Sequence, residues 1–128
     1  MKIYFISGHR DITQEEFDKY YVPELKKAIS ENSLFVVAEC QGVDTMAQIW
    51  LAENIDHPGR VTVYHMKNLP RYLASGEFNT VGGFKDDVSR DAAMTKNSNT
   101  DIAFIRPGKW TSGTAQNILR RFEKIIKE

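Results

Sequence analysis

The chain has 128 residues, with 17 basic and 17 acidic side chains that give a formal net charge of zero. A chain of this length forms one domain, residues 1–128, and its zero charge argues against nucleic-acid binding by bulk electrostatics, leaving only a local basic patch open. Its single cysteine, Cys40, excludes an internal disulfide and argues against a zinc site built from cysteines.

The first predicted element is a strand, the apolar run from Lys2 to Ile6. Met1 leads into it within two residues, which leaves no room for a signal peptide, and no stretch has the length of a membrane span. We therefore expect a cytoplasmic protein with no membrane partner. The strand ends in a polar turn, Ser7 to Asp11, at the edge where open α/β sheets bind ligands.

A helical region and a second strand follow. Thr13 and Glu16 form a capping box, and apolar residues at helical spacing continue the pattern to Ile29. Pro23 interrupts this pattern, which predicts either a kinked helix or two consecutive helices. The apolar run from Leu34 to Ala38 predicts the second strand.

The second strand leads into another predicted helix, Val43 to Leu51, after a loop closed by Gly42. Glu39 ends the otherwise apolar strand and points toward the same edge of the sheet as Arg10. Asp44 lies in the first turn of the helix, where a carboxylate interacts well with the helix dipole. That structural role stays open beside a functional one.

The middle of the chain contains the segment that is hardest to interpret. Val61 to Met66 predicts a third strand, but Lys67 to Gly83 has little periodicity, and we interpret it as a long functional or flexible loop. Lys85 to Asn97 is then predicted to be helical, with Arg90 and Asp91 on it.

A glycine-containing loop joins the last predicted strand to the last helix. The run from Ile102 to Ile105 is typical of a strand buried on both faces of a parallel sheet, and the chain turns at Gly108. An amphipathic pattern begins after Gly113 and predicts a final helix. Its apolar positions are Ala115, Ile118, Leu119, Phe122, Ile125 and Ile126.

Four apolar strands that alternate with helices predict an α/β fold, a Rossmann-like three-layer sandwich with a mainly parallel sheet of at least four strands. In the strand order 3-2-1-4, the topological switch lies between the first and fourth predicted strands. The turn at Ser7 to Asp11 and the loop at Gly108 to Thr114 then face each other across one crevice.

The start of the last helix has the features of an anion site. The first amides of a helix have no partner within it and carry the positive end of the backbone dipole. Gly113 lets a ligand approach the backbone closely, and the hydroxyls of Ser112 and Thr114 can donate to a phosphate oxygen. The alternative is that this Ser-Gly-Thr sequence only caps the helix.

Four short motifs resemble the SLOG superfamily of Rossmann-like proteins, and within it the YpsA-related proteins. They read SGHRD at residues 7–11, GVD at 42–44, RDAAM at 90–94 and TSGTAQNI at 111–118. Each motif is weak alone, but together they occur in the family's order and span nearly the whole chain. The resemblance implies a nucleotide or nucleotide-like ligand with its phosphate on the Ser112 to Thr114 loop.

Better-known, distant relatives of these proteins, the Lonely guy phosphoribohydrolases, cleave the N-glycosidic bond of nucleoside 5′-monophosphates. They use an arginine and a glutamate, the latter in a Gly-Gly-x-Gly-Thr-x-x-Glu motif. The third residue after Thr114 is here Asn117, a neutral amide. The catalytic glutamate therefore does not carry over, which favours a binding module over hydrolysis by the same machinery.

Other carboxylates around the crevice keep an enzymatic alternative open, because cleavage of an N-glycosidic bond requires a carboxylate beside the developing oxocarbenium ion. Arg10 and Arg90 can clamp a phosphate bidentately. The candidate catalytic residues are Glu39, Asp44 and Asp91. The candidate ligand-binding residues are Ser7, Gly8, His9, Arg10, Gly42, Arg90, Gly108, Ser112, Gly113 and Thr114.

Structural alternatives accompany these assignments: Arg90 can pair with Asp86 on the same helix, and Asp11 can cap the helix that follows it. No pair of histidines has metal-ligand spacing, so we expect no metal and no cofactor. Trp110 can stack on a base or cover the phosphate site. Together with Tyr20, Tyr21 and Trp50, it also permits a homodimer.

Two functions follow from the sequence. The first is a module that senses or sequesters a nucleotide-derived ligand. The alternative is an N-glycosidase or deoxyribosyltransferase-like enzyme acting on nucleoside 5′-monophosphates. A structural subunit with a vestigial pocket is a third possibility.

Overall fold

The computed structural model describes residues 1–110 and 112–127 and contains a five-stranded sheet in which all paired strands are parallel. The strand order is β4-β3-β2-β1-β5. The predicted α/β sandwich and the order of its four predicted strands are confirmed, with one further strand at the edge beside β3. The elements are β1 (Ile3–Ser7), α1 (Gln14–Tyr20), α2 (Val22–Ser30), β2 (Leu34–Val37), α3 (Val43–Asn54), β3 (Val61–Met66), β4 (Asn79–Phe84), α4 (Asp87–Lys96), β5 (Thr100–Ala103) and α5 (Gly113–Lys127).

The additional strand corrects our interpretation of residues 67–83 as a loop, because β4 begins at Asn79 and pairs with β3 in parallel. No apolar run marks β4 in the sequence, since its side chains are mostly exposed at the edge of the sheet. Gly82 is nevertheless required for packing, because a Cβ atom there would collide with the imidazole ring of His65.

The remainder of the segment between β3 and β4 is held by two buried polar side chains. The Glu39 carboxylate accepts hydrogen bonds from the backbone amides of Met66 and Arg71 and from the Arg71 guanidinium. The Gln48 side chain accepts a hydrogen bond from the amide of Ala74 at 3.0 Å. The segment is therefore attached to the end of β2 and to α3 rather than being an independent loop.

Two consecutive helices form around Pro23, which confirms one of the two predicted alternatives over a single kinked helix. α1 and α2 meet at Tyr21, and Pro23 lies in the first turn of α2, where a missing backbone N–H costs no helical hydrogen bond. The capping box of Thr13 and Glu16 is confirmed. Thr13, not Asp11, is therefore the residue that caps α1.

Helices cover both faces of the sheet. In β1, Tyr4 and Ile6 pack in the core formed with α1, α2 and α3, whereas Phe5 packs on the opposite face with Met94 of α4. This alternation follows from the two-residue period of a strand. Within the described ranges, no helix combines the length and the apolar character that crossing a membrane requires.

The last helix forms as the amphipathic pattern predicts, but the face that it buries is largely polar. α5 lies against α4 and β5 with Asn117 and Arg121 buried at 4% and 6% exposure. Its large apolar side chains, including Leu119 and Phe122, are mostly exposed. The preceding strand also differs slightly, since β5 ends at Ala103, two residues before its predicted end.

Candidate functional site

The turn after β1 and the loop before α5 meet over one cavity of about 300 Å³. They meet because β1 and β5 are neighbouring parallel strands, so that their carboxyl ends share one edge of the sheet. Ten of the thirteen predicted site residues line this cavity. They are Ser7, Gly8, His9, Arg10, Asp44, Arg90, Asp91, Ser112, Gly113 and Thr114.

The other three predicted site residues, Glu39, Gly42 and Gly108, are outside the lining of the cavity. The Glu39 carboxylate forms hydrogen bonds with the segment before β4, so its position gives no support to a catalytic role. Gly42 has a φ of 84°, and a Cβ atom there would collide with the backbone of His9 and Arg10. It allows the loop after β2 to approach the turn after β1. Gly108 has a φ of 86° and forms the turn before α5.

One buried hydroxyl group connects the two loops that form the cavity. The Tyr21 hydroxyl donates to the carbonyl of Ser7 at 2.7 Å and accepts from the amide of Phe104 at 3.0 Å. The Tyr21 side chain is fully buried. A Cβ atom at Gly8 would collide with this hydroxyl, so the glycine is required where β1 ends.

Tyr21→Phe is expected to lower the free energy of unfolding by about 1–3 kcal/mol, because it leaves the Phe104 amide without its partner. Urea unfolding measures this change. Tyr20→Phe is the control, since that variant keeps the ring that stacks on Phe104 at 3.9 Å. An equal loss in both variants would contradict the role assigned to the Tyr21 hydroxyl.

His9 makes a second connection between the same loops. Its Nε2 atom accepts a hydrogen bond from the amide of Arg106 at 2.9 Å, which requires that this nitrogen carries no proton. Burial lowers the pKa of His9, with the Arg106 guanidinium acting in the same direction. His9 therefore lines the cavity as a neutral imidazole, and it is poorly suited to donate a proton through Nε2.

The two arginines of the cavity differ in burial. Arg90 is buried and pairs with Asp87 at 3.2 Å and with Asp91 at 3.1 Å. Its predicted alternative partner, Asp86, caps α4 instead. Arg10 has a side chain that is 62% exposed, and its ion pair with Asp87 is longer, at 3.7 Å. Arg10 is thus the arginine that can reorient toward a ligand at small cost.

Two carboxyl groups of the cavity have raised pKa values. Burial raises the pKa of Asp44 from 3.8 to about 7, although the amide of Cys40 donates to this carboxylate at 3.1 Å. Burial also raises the pKa of Asp91 against the opposing effect of the Arg90 guanidinium. Asp44, whose pKa is near neutrality, can hold or release a proton during a reaction.

The cap of α5 uses only some of the backbone amides at the start of the helix. The Ser112 hydroxyl accepts a hydrogen bond from the amide of Ala115 at 3.2 Å, which supports the capping role, and it keeps a hydrogen with which it can donate. Apart from its chain neighbours and the backbone of α5, none of the described residues has an atom within 4 Å of the place where a Cβ on Gly113 would be. Thr111 of the same motif is outside the described residues.

Sequence reasoning missed several residues of the lining, among them Phe5, Cys40, Asp87 and Asn117. Cys40 follows β2, next to β1, and the rule that ligands bind at the carboxyl ends of the strands would have indicated it. The Asn117 side chain forms hydrogen bonds with Asp91 and with the Arg120 guanidinium, the latter at 2.6 Å. The spacing of three residues on one helix is consistent with the contact to Arg120, but no local pattern indicates the contact with Asp91.

Comparisons with known proteins add no assignment: no family model matches the chain, and no curated protein or solved structure matches it. The resemblance to the SLOG superfamily therefore stays a prediction based on four motifs. Among residues 1–110 and 112–127, no group of three His, Cys, Asp or Glu side chains is placed to hold a metal ion.

Proposed function

We propose that the protein binds a nucleotide or nucleotide-derived ligand and acts as a module that senses or sequesters it. The observation that carries this proposal is the shared cavity, where the turn containing Arg10 meets the loop containing Gly113. The ligand's phosphate binds the first amides of α5, since these amides and the helix dipole favour an anion. Arg10 then closes over the phosphate from the rim.

The size and lining of the cavity support a small ligand with both polar and apolar parts. Its volume of about 300 Å³ is at the lower end of the range for small-molecule sites. Phe5 provides an apolar wall, whereas Arg90 and Asp91 provide polar contacts. A nucleoside monophosphate fits this combination, with its sugar near the carboxyl groups and its phosphate at α5.

Binding is tested by the thermal stability of the protein with each of several nucleoside monophosphates, the matching nucleosides, and inorganic phosphate. A ligand at 100 times its Kd adds about 2.7 kcal/mol of stability, which raises Tm by roughly 10 °C in a domain of this size. The proposal requires a larger rise with a monophosphate than with its nucleoside. The absence of any rise across the panel would contradict it.

Gly113→Val is expected to abolish the ligand-induced rise in Tm while leaving the Tm of the free protein within a few degrees of the parent. The valine side chain has room in the free protein but occupies the space through which a phosphate approaches the amides. Gly76→Val is the matched control, because in the described part of the chain a Cβ there also meets no atom within 4 Å beyond its chain neighbours. A parental response in Gly113→Val would mean that the loop is only a helix cap.

A second function, cleavage of the N-glycosidic bond of nucleoside 5′-monophosphates, is favoured by the raised pKa values of Asp44 and Asp91. One can protonate the departing base while the other, as a carboxylate, stabilises the positive charge on the sugar or activates water. Chromatography of the incubated monophosphates tests this function. Release of free base that disappears in Asp91→Asn and Asp44→Asn would establish turnover, and stabilisation without release would establish the module.

A further inference from the structure

α5 exposes a row of large apolar side chains to solvent. We call Leu119, Phe122, Ile125 and Ile126 the apolar stripe, and they are 56%, 63%, 60% and 77% exposed. A helix on the surface of a globular protein normally turns such a row toward the core. Here the row faces away from the core.

Polar contacts fix α5 in this orientation. The buried guanidinium of Arg121 donates to the Ser98 carbonyl and to both carboxylate oxygens of Asp101. The Lys124 ammonium donates to the same carbonyl at 2.7 Å. Phe122 follows Arg121 and therefore points about 100° around the helix from it. The apolar stripe cannot turn inward unless these hydrogen bonds break.

We propose that the apolar stripe is the contact surface between two copies of this chain, which pair through α5 about a two-fold axis. A two-fold contact needs a surface that complements itself, and antiparallel pairing centred on Phe122 places Leu119 of each copy opposite Ile125 and Ile126 of the other. Neither this surface nor its use depends on whether the cavity binds a nucleotide.

The area of the apolar stripe is appropriate for the core of such an interface. Each large aliphatic or aromatic side chain buries on the order of 100 Å². The four residues thus supply roughly 400 Å², about half of the ~800 Å² that each partner contributes to a standard interface. Neighbouring polar residues of α5 supply the rim.

The charges of the helix favour a second copy over a membrane. A helix that binds anionic lipid turns lysine and arginine toward the headgroups beside its apolar face. In α5, Arg121 and Lys124 instead bind the end of α4 and the start of β5. In the described part of α5, the charged residues that are exposed, Glu123 and Lys127, have opposite signs. The formal charge of the chain is zero, so two copies do not repel each other.

This surface differs from the aromatic residues that the sequence suggested for a homodimer. Tyr21 is fully buried, and Tyr20 stacks on Phe104. Trp50 is half-buried against the core, and Trp110 alone of the four is largely exposed, at 71%. The residues of the apolar stripe are among the apolar positions of the amphipathic pattern that predicts α5.

Sedimentation velocity over a concentration series, without added ligand, tests the proposal. We expect the parent protein to sediment as a dimer of twice the 14.7 kDa chain mass. Phe122→Glu and Ile126→Glu should each weaken association by about 100-fold or more, because every dimer carries the substitution twice. Leu69→Glu is the matched control, since Leu69 is 79% exposed and far from α5 in sequence, and it should remain a dimer.

Three results would overturn the proposal: a monomeric parent at every concentration, dimers that persist in both stripe variants, or equal dissociation in Leu69→Glu. A monomeric parent that binds vesicles of anionic phospholipid through the stripe would assign the surface to membranes instead. Circular dichroism checks that each variant is folded.

If the glutamate variants do not fold, Phe122→Cys in a Cys40→Ser background should crosslink with a short bismaleimide, whereas Leu69→Cys in the same background should not. Failure of Phe122→Cys to crosslink would also overturn the proposal.

Discussion

Asp44→Asn is expected to make the protein more stable at pH 8 and to change its stability little at pH 4. The native state holds a proton on Asp44 up to a pKa of about 7, whereas the unfolded state releases it near 3.8. Between these values the native state binds more protons, so the stability that this group contributes is complete below about pH 4 and is lost as the pH rises to 7.

The size of this effect follows from the difference of about three pKa units, which corresponds to at most about 4 kcal/mol at pH 8. Asparagine removes the buried charge at high pH, and its side-chain oxygen can still accept from the Cys40 amide. At pH 4 the gain should be below about 1 kcal/mol. Urea unfolding at both pH values measures the difference.

Asp18→Asn on the exposed surface of α1 is the control, and it should change the free energy of unfolding by less than about 0.5 kcal/mol at both pH values. Equal gains in Asp44→Asn at pH 4 and pH 8 would contradict a buried carboxyl group with a raised pKa. A gain confined to high pH would mean that Asp44 reduces stability at neutral pH, as is common for residues that a protein retains for function.

Arg121→Met is expected to lower the free energy of unfolding by about 3–5 kcal/mol. The guanidinium of Arg121 is buried between α5, the end of α4 and β5, where it donates to the carbonyls of Thr95 and Ser98 and pairs with Asp101. Methionine fills much of the same volume but leaves the buried Asp101 carboxylate without its cationic partner. The two carbonyls lose the guanidinium, although Lys124 still donates to the Ser98 carbonyl. Urea unfolding at neutral pH measures the loss.

Arg120→Met is the matched control, because the neighbouring guanidinium is less buried and donates to Asn117. A change of about 1 kcal/mol or less is expected there. A loss in Arg121→Met that is no larger than in Arg120→Met would contradict the role of Arg121 in holding α5. It would also mean that the contacts of Arg121 do not keep the apolar stripe from turning inward.

Local patterns in the sequence predicted most of the fold. The apolar runs of β1, β2 and β3 predict strands because these strands are buried on both faces of the sheet. The capping box at Thr13 predicts the start of α1, since the interaction spans only four residues. β4 could not be predicted in this way, because an exposed edge strand with two glycines carries no apolar signal.

The orientation of α5 shows a second limit of local patterns. Its amphipathic period predicts a helix correctly, but the period does not tell which face is buried. That choice is made by Arg121 and Lys124, whose partners lie at least 20 positions earlier in the sequence. Long-range hydrogen bonds between polar side chains and backbone carbonyls leave no mark in hydrophobic periodicity.

The candidate site was predictable where it depends on topology. Arg10 and Gly113 line the same cavity because β1 and β5 are adjacent, which the order of strands and helices implied. The lining by Asn117 and the anchoring role of Glu39 were not predictable. Asn117 contacts Asp91, and Glu39 accepts a hydrogen bond from the Arg71 amide. Only the fold brings these partners close together.

The central claim, that a phosphate-bearing ligand binds between the turn after β1 and the start of α5, is tested most directly by nuclear magnetic resonance. A nucleoside monophosphate that raises Tm, or in its absence inorganic phosphate, is titrated into ¹⁵N-labelled protein. We predict the largest amide shifts at Gly113 and Thr114, with further shifts from Gly8 to Arg10. Shifts centred elsewhere, such as the groove between α4 and α5 at Lys96 and Lys127, or no shifts at all, would contradict the claim.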